Sequence, residues 1–159
     1  MLYLVRHAHA GPKQTWPGLD AARPLSGPGQ QEAAGLVTTL QDHAITRILS
    51  SPATRCLQTV EPLARQRRLA VELHDWLGVD ADLADVMKFV EDSGAAAAVL
   101  CTHGELIGKV MEQLVVDGLR LPPAPRWAKG STWVLDRDDH GHLSASYLPP
   151  SRGLLPTRR

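Results

Sequence analysis

The stretch AAAAVLCTHGELIGKV, residues 95–110, limits the possible folds more than any other part of the chain. Its first half, 95–102, is an apolar run with no alternation. A strand with one face in water alternates apolar and polar residues, whereas an unbroken run implies a strand covered on both faces. Thr102-His103-Gly104 closes the run. Leu106, Ile107, Val110, Met111, Leu114 and Val115 then fall on one side of a helix. A buried strand feeding directly into an amphipathic helix is the building unit of layered α/β folds with a mainly parallel sheet.

The rest of the chain repeats that alternation. LYLV (2–5), ITRILSS (45–51) and AVEL (70–73) read as strands. Ser26 is placed to cap a helix carrying Ala33, Ala34, Leu36, Val37 and Leu40. Leu57, Val60 and Ala64 mark a second helix, with Pro62 expected to kink it. Leu83, Val86, Met87 and Val90 mark a third. STWVLD and LSASYL flank the turn RDDHGH as a closing hairpin. Residues 8–25 and 118–130, rich in Gly and Pro, read as long loops, and a loop that long in a compact domain is functional or disordered. With 159 residues and no repeat or linker, one domain over 1–149 is expected, followed by a loose tail over 150–159.

Composition removes several function classes. Seventeen basic and seventeen acidic side chains balance, so no whole-molecule field draws the chain to nucleic acid or to a membrane. Two cysteines, Cys56 and Cys101, make no disulfide framework. No segment reaches the roughly 18 apolar residues of a membrane span, and MLYLVRHAHAG lacks the pattern of a secretory leader. A cytoplasmic protein is expected.

Chemistry collects at the strand ends, where open α/β sheets bind ligands. The first strand ends in Arg6-His7, the second leads through SSPATR to Arg55, and the buried run ends in Thr102-His103-Gly104. Two guanidiniums offer bidentate forks suited to phosphate oxygens. The helix opening after His103 aims backbone N–H groups and its positive dipole end at the same place. Neutral imidazole is a nucleophile toward phosphorus, and neighbouring arginines favour the neutral form. The set fits phosphoryl transfer through a phosphohistidine, with the arginines rather than a metal or other cofactor balancing the charge.

LVRHAHAG, RPLSGPG, SSPATRCLQT and CTHGELI, in that order and spacing, resemble the histidine phosphatase (phosphoglycerate mutase-like) superfamily from residue 2 to about 115. The short length and the RPLS block look closest to SixA-type phosphohistidine phosphatases. RCLQTVEPLA and RWAKGSTWVLD also resemble the histidine-phosphatase domain that follows the Nudix domain in mycobacterial MutT-like hydrolases, with no Nudix segment here. The resemblance implies a three-layer α/β/α sandwich on a six-stranded, mostly parallel sheet with one antiparallel strand. It implies His7 as the phosphorylated nucleophile, and Arg6, Arg55 and His103 as phosphoryl ligands with Gly104 beside them. It also implies an acidic proton donor after the third strand. Asp80 is favoured for that role; Asp75 and the absence of any dedicated acid are the alternatives. Lys13, Arg126 and Lys129 are candidates to meet an anionic substrate, or plain surface cations. The implied partner is a phosphorylated protein or small molecule: protein phosphohistidine, a nucleotide or dinucleoside polyphosphate, or a phosphometabolite. Arg6-His7-Ala8 stands where the family has Arg-His-Gly. His9 stands where mutases often have glutamate, which argues against mutase activity.

Other motifs fail on spacing. The barrel hydrolases that use a His7-x-His9 pattern need roughly 200 residues or more. The position six residues after Cys101 is Ile107, where a cysteine phosphatase needs arginine. GELIGK has three residues between its glycines, not the four of a P-loop. Two rival classes stay open: a metal-dependent hydrolase on His7, His9 and His103, and a non-catalytic phosphate-binding module.

Overall fold

A computed structural model of the protein describes residues 1–92 and 97–155. Its elements alternate as expected: β1 (Leu2–Arg6), α1 (Gly27–Thr39), β2 (Arg47–Ser50), α2 (Thr54–Arg67), β3 (Val71–Leu73), α3 (Leu83–Glu91), β4 (Ala98–Thr102), α4 (Gly104–Val116), β5 (Thr132–Arg137) and β6 (Leu143–Leu148). The six strands form one sheet in the order β3-β2-β4-β1-β5-β6. β3, β2, β4 and β1 are mutually parallel, and β5 is antiparallel to both β1 and β6, so β5 alone runs against the rest. The expected sheet is therefore the observed one.

Strand alternation divides the core. Leu2, Leu4, Leu49, Leu100 and Trp133 pack with Val86, Met87, Ile107 and Met111 of α3 and α4. Tyr3, Val5, Ile48, Val99 and Cys101 pack on the opposite face with Leu36 of α1 and Val60 and Leu63 of α2. Each fully buried aliphatic side chain contributes about 1.5–3 kcal/mol by leaving water. The sheet thus sits between two helical layers, and the lack of polar alternation in β4 follows from its central place.

The structure adds detail to several expectations. β4 begins at Ala98 rather than residue 95, and 95–96 lie outside the described residues. α2 is helical on both sides of Pro62. Proline there removes one backbone donor, while Val60, Leu63 and Ala64 anchor the helix in the core on both sides of it. The 8–25 loop contains two short 3-10 turns, Lys13–Thr15 and Asp20–Ala22, and a bridge between Ala10 and Leu25. The expected loose tail is tied down in part: the Gly153 N–H donates to the Gln31 carbonyl at 2.8 Å, and the backbone of Ser151 crosses α1 where only a glycine, Gly35, leaves room. Residues 156–159 lie outside the described residues. No helix among the described residues is long and apolar enough to cross a membrane.

Candidate active site

The register of the two central strands builds the site. β1 pairs with β4 from Leu2↔Ala98 to Arg6↔Thr102. The next residue on each strand is a histidine, and the His7 N–H donates to the Thr102 carbonyl at 3.0 Å. Neighbouring strands lie about 4.8 Å apart, and the His7 and His103 ring centroids stand 5.4 Å from each other. Both rings are almost fully buried, at 7% and 2% exposure. They follow Val5 and Cys101 onto the α1/α2 face, where the first turn of α2 presents Arg55. Arg55 is 4% exposed, and its Nη2 lies 3.4 Å from His103 Nδ1.

The same alternation sends Arg6 to the other face. Its Nη1 donates to the Trp127 carbonyl at 2.9 Å. Its guanidinium lies against Gly104, where a Cβ would sit 2.8 Å from Cζ and Nε. Glycine at the start of α4 is therefore what gives Arg6 its place. The Nε groups of Arg6 and Arg55 are buried donors with no acceptor among the described residues. Such donors are costly unless an anion takes them. The N-caps of α2 and α4, Ala53 and His103, make no side-chain capping bond, so both helices open uncapped toward this edge.

One hydrogen bond decides the state of His7. Its Nδ1 lies 2.8 Å from the Ala8 carbonyl oxygen, which only accepts, so Nδ1 carries the proton. Nε2 is left with a free lone pair. Burial, above all, and then the nearby His103, Arg55 and Arg6 charges lower its pKa to about 3 against the support of that hydrogen bond. His7 is neutral at physiological pH.

Further residues, not singled out from the sequence, complete the constellation. Ser51, just past β2, places its Oγ 2.9 Å from His103 Nε2. Thr59 accepts from the Ala8 N–H at 2.9 Å and donates to the Arg55 carbonyl at 2.6 Å, tying the β1 exit to α2. The Gly130 N–H donates to both the Arg6 and His7 carbonyls at 3.1 Å, with Gly130 in the left-handed region at φ 79°. Asp20 meets Arg55 twice, through its carbonyl at 2.9 Å and its Oδ2 at 3.1 Å. The only sequence signal among these was Ser51, a polar residue at a strand end; the others are loop, helix and backbone contacts without a local pattern.

A cleft of about 600 Å³ opens beside Arg55 and His103, lined also by Lys13, Asp20, Ser51, Asp75 and Asp80. Asp75, Asp80 and Lys13 are exposed on its walls. His9 is turned away, with its Nδ1 2.6 Å from Ser26 Oγ. Among the described residues no three His, Cys, Asp or Glu side chains gather at metal-binding separation. Arg126 is exposed, and its carbonyl accepts from Trp133 Nε1 at 2.8 Å; Lys129 is exposed one residue before Gly130.

Two histidines and two arginines at the carboxyl edge of an open α/β sheet offer the nucleophile and the donors that phosphoryl chemistry uses. Residues 2–78 match the model of the histidine phosphatase superfamily (branch 1). The chain is 32% identical over 152 residues, 92% of its length, to the 8-oxo-(d)GTP phosphatase of Mycolicibacterium smegmatis (strain ATCC 700084 / mc(2)155), and spans 47% of that protein. The structure is similar to the SixA-type protein of Agrobacterium tumefaciens, with a TM-score of 0.73 and 25% identity over 94% of this chain and 97% of that one. It shares its fold with the protein histidine phosphatase SixA complexed with tungstate, with a TM-score of 0.69 and 20% identity over 95% and 96% of the two chains. The match to the histidine phosphatase superfamily thus covers the β1-to-β3 half of the chain, which carries Arg6, His7 and Arg55.

Proposed function

We propose that the protein is a phosphatase that hydrolyses a phosphate ester or phosphoramidate through a phosphohistidine formed on His7. The observation that carries this reading is the buried Nδ1–H of His7 held by the Ala8 carbonyl, which leaves Nε2 unprotonated. Nε2 attacks phosphorus in line, and the leaving group departs on the far side. Arg6, Arg55, His103 and the amide-bearing start of α4 at Gly104 balance the phosphoryl oxygens, so the charge needs no metal. Lys13 stands on the outer wall of the cleft, within reach of a substrate's remainder. The leaving group needs a proton, and the carboxylates of the cleft, Asp80 among them, are the candidate donors. Water then hydrolyses the phosphohistidine, the acid now acting as base.

Protein phosphohistidine, as for the SixA proteins, is the first substrate reading. A nucleotide is the second, favoured by the relative that acts on 8-oxo-(d)GTP. Cys56 and Cys101 are buried and free, as in proteins of reducing compartments, and we assign the protein to the cytoplasm. Residues 1–149 form the catalytic domain in this reading.

The test is direct. His7→Ala is expected to abolish hydrolysis of p-nitrophenyl phosphate and to lose the acid-labile label that wild type acquires during turnover, while EDTA leaves wild type unchanged. An active alanine variant or a chelator-sensitive enzyme overturns the proposal. Phosphohistidine peptide and 8-oxo-dGTP, compared by kcat/KM, separate the two substrate readings.

A further inference from the structure

Three carboxylates line the cleft beside the phosphoryl pocket: Asp20, Asp75 and Asp80. They differ in what they touch. Asp75 and Asp80 are exposed on the walls. Asp20 reaches inward from the 3-10 turn Asp20–Ala22 of the long loop. Its Oδ2 lies 3.1 Å from Arg55 Nη2, the same nitrogen that stands 3.4 Å from His103 Nδ1. Its Oδ1 lies 3.1 Å from Arg23 Nε, and Arg23 is itself anchored by Nη1 on the Gly11 carbonyl at 2.6 Å. Its side chain keeps 31% of its surface open, so it is both inside the site and reachable by solvent.

The carboxylate thus occupies part of the guanidinium fork that a phosphoryl group would take. Both are oxyanions, and both compete for Arg55. We propose that Asp20 is the residue that exchanges a proton with the leaving group, and that the incoming phosphoryl group puts it in that role by displacing it from Arg55. This deepens the phosphatase reading and rests on it.

The physical logic is a change of neighbours. In the free protein, burial pushes the Asp20 carboxyl up, but the Arg23 hydrogen bond and the charges of Arg55, Arg23 and Lys13 outweigh it and hold the carboxyl below the ordinary range. It is ionised. A bound phosphoryl dianion neutralises Arg55 and adds negative charge beside Asp20. Each change favours the protonated carboxyl, which takes its proton from solvent. As His7 Nε2 bonds to phosphorus, the phosphorus–leaving-group bond breaks, and its electron pair accepts the Asp20 proton. In the second step the Asp20 carboxylate removes a proton from water as its oxygen bonds to phosphorus. The phosphorus–Nε2 bond then breaks, its pair returns to His7, and phosphate departs.

The experiment compares kcat/KM for phenyl phosphate, whose leaving group needs a proton, and 2,4-dinitrophenyl phosphate, whose leaving group does not. Removing a general acid costs about 100-fold or more where it is needed. Asp20→Asn is expected to lower phenyl phosphate turnover by that factor and to change dinitrophenyl phosphate only severalfold. It should also give a burst of dinitrophenolate while label accumulates on His7, because the second step lacks its base. Asp20→Glu is expected to restore part of the phenyl phosphate activity. An equal loss on both substrates, a gain of activity in Asp20→Asn, or the selective loss appearing in Asp80→Asn instead overturns the assignment. Failure of wild type to label His7 overturns the phosphatase reading itself, so the two failures are distinguishable.

Discussion

Ser51 Oγ lies 2.9 Å from His103 Nε2, in a site where both side chains are almost wholly buried. His103 Nδ1 faces Arg55 Nη2, a group that only donates, so Nδ1 accepts and Nε2 bears the proton. Ser51 is therefore the acceptor that fixes the His103 tautomer, and it also accepts from the Ala53 N–H at 3.2 Å. Ser51→Ala leaves the buried His103 N–H with only the weak Cys56 Sγ contact at 3.6 Å, and an unsatisfied buried donor costs about 1–3 kcal/mol. The expected result is a lower urea midpoint with unchanged m-value, together with a fall in kcat. An alanine variant as stable and as active as wild type contradicts this account.

Gly104 admits no side chain without moving Arg6. Alanine suits a helix better than glycine by about 1 kcal/mol, so Gly104→Ala is expected to fold. The displaced guanidinium loses charge-assisted hydrogen bonds worth about 1.5–3 kcal/mol each, or about 10–100-fold in kcat/KM. In an Arg6→Ala background the same substitution should have little further effect, since the group it displaces is gone. Additive losses in the double variant would rule out this coupling.

The lowered pKa of His7 has a signature in stability. Its folded value of about 3 lies below the unfolded 6.5, so the unfolded chain binds the proton first as pH falls. The stabilising contribution of the neutral ring is complete above pH 6.5 and drains away between 6.5 and about 3. Between pH 7 and 5 this single group should cost wild type about 2 kcal/mol that a variant without the imidazole does not lose. Urea melts of wild type and His7→Ala at both pH values measure it. Parallel losses in the two proteins would show that His7 does not carry the depressed pKa.

Much of the scaffold was legible because apolar periodicity is a local signal. β4 and α4 announced themselves through one run without polar alternation and one helical stripe, and Ser26 caps α1, accepting from the Gly29 N–H at 3.1 Å. Boundaries and loops were less legible. α2 stays helical past Pro62, with Val60, Leu63 and Ala64 anchored in a core that no local pattern displays. Residues 151–153 lie on α1 through backbone contacts, and backbone contacts leave no mark on residue type except at Gly35 and Gly153.

Among site residues the division is the same. Arg6, His7, Arg55 and His103 are conspicuous as charged or nucleophilic side chains at strand ends, and the topology gathers them. On sequence alone Asp80 is favoured and Asp20 is passed over. Both are loop aspartates, and only the chain path brings Asp20 to Arg55 while Asp80 stays on the outer wall.

By itself the sequence determined which segments are buried on both faces, the order of strands and helices, and the identity of the groups available at strand ends. These depend on hydrophobic spacing and chemistry along the chain. Only the tertiary structure decided that residue 6 pairs with residue 102. That one register sets His7 beside His103 and Arg6 beside Gly104, and the path of the chain through α2 adds Arg55. Register is a property of two strands far apart in sequence, selected by how both faces pack, and a one-residue slip would send the side chains of the shifted strand to the opposite layer.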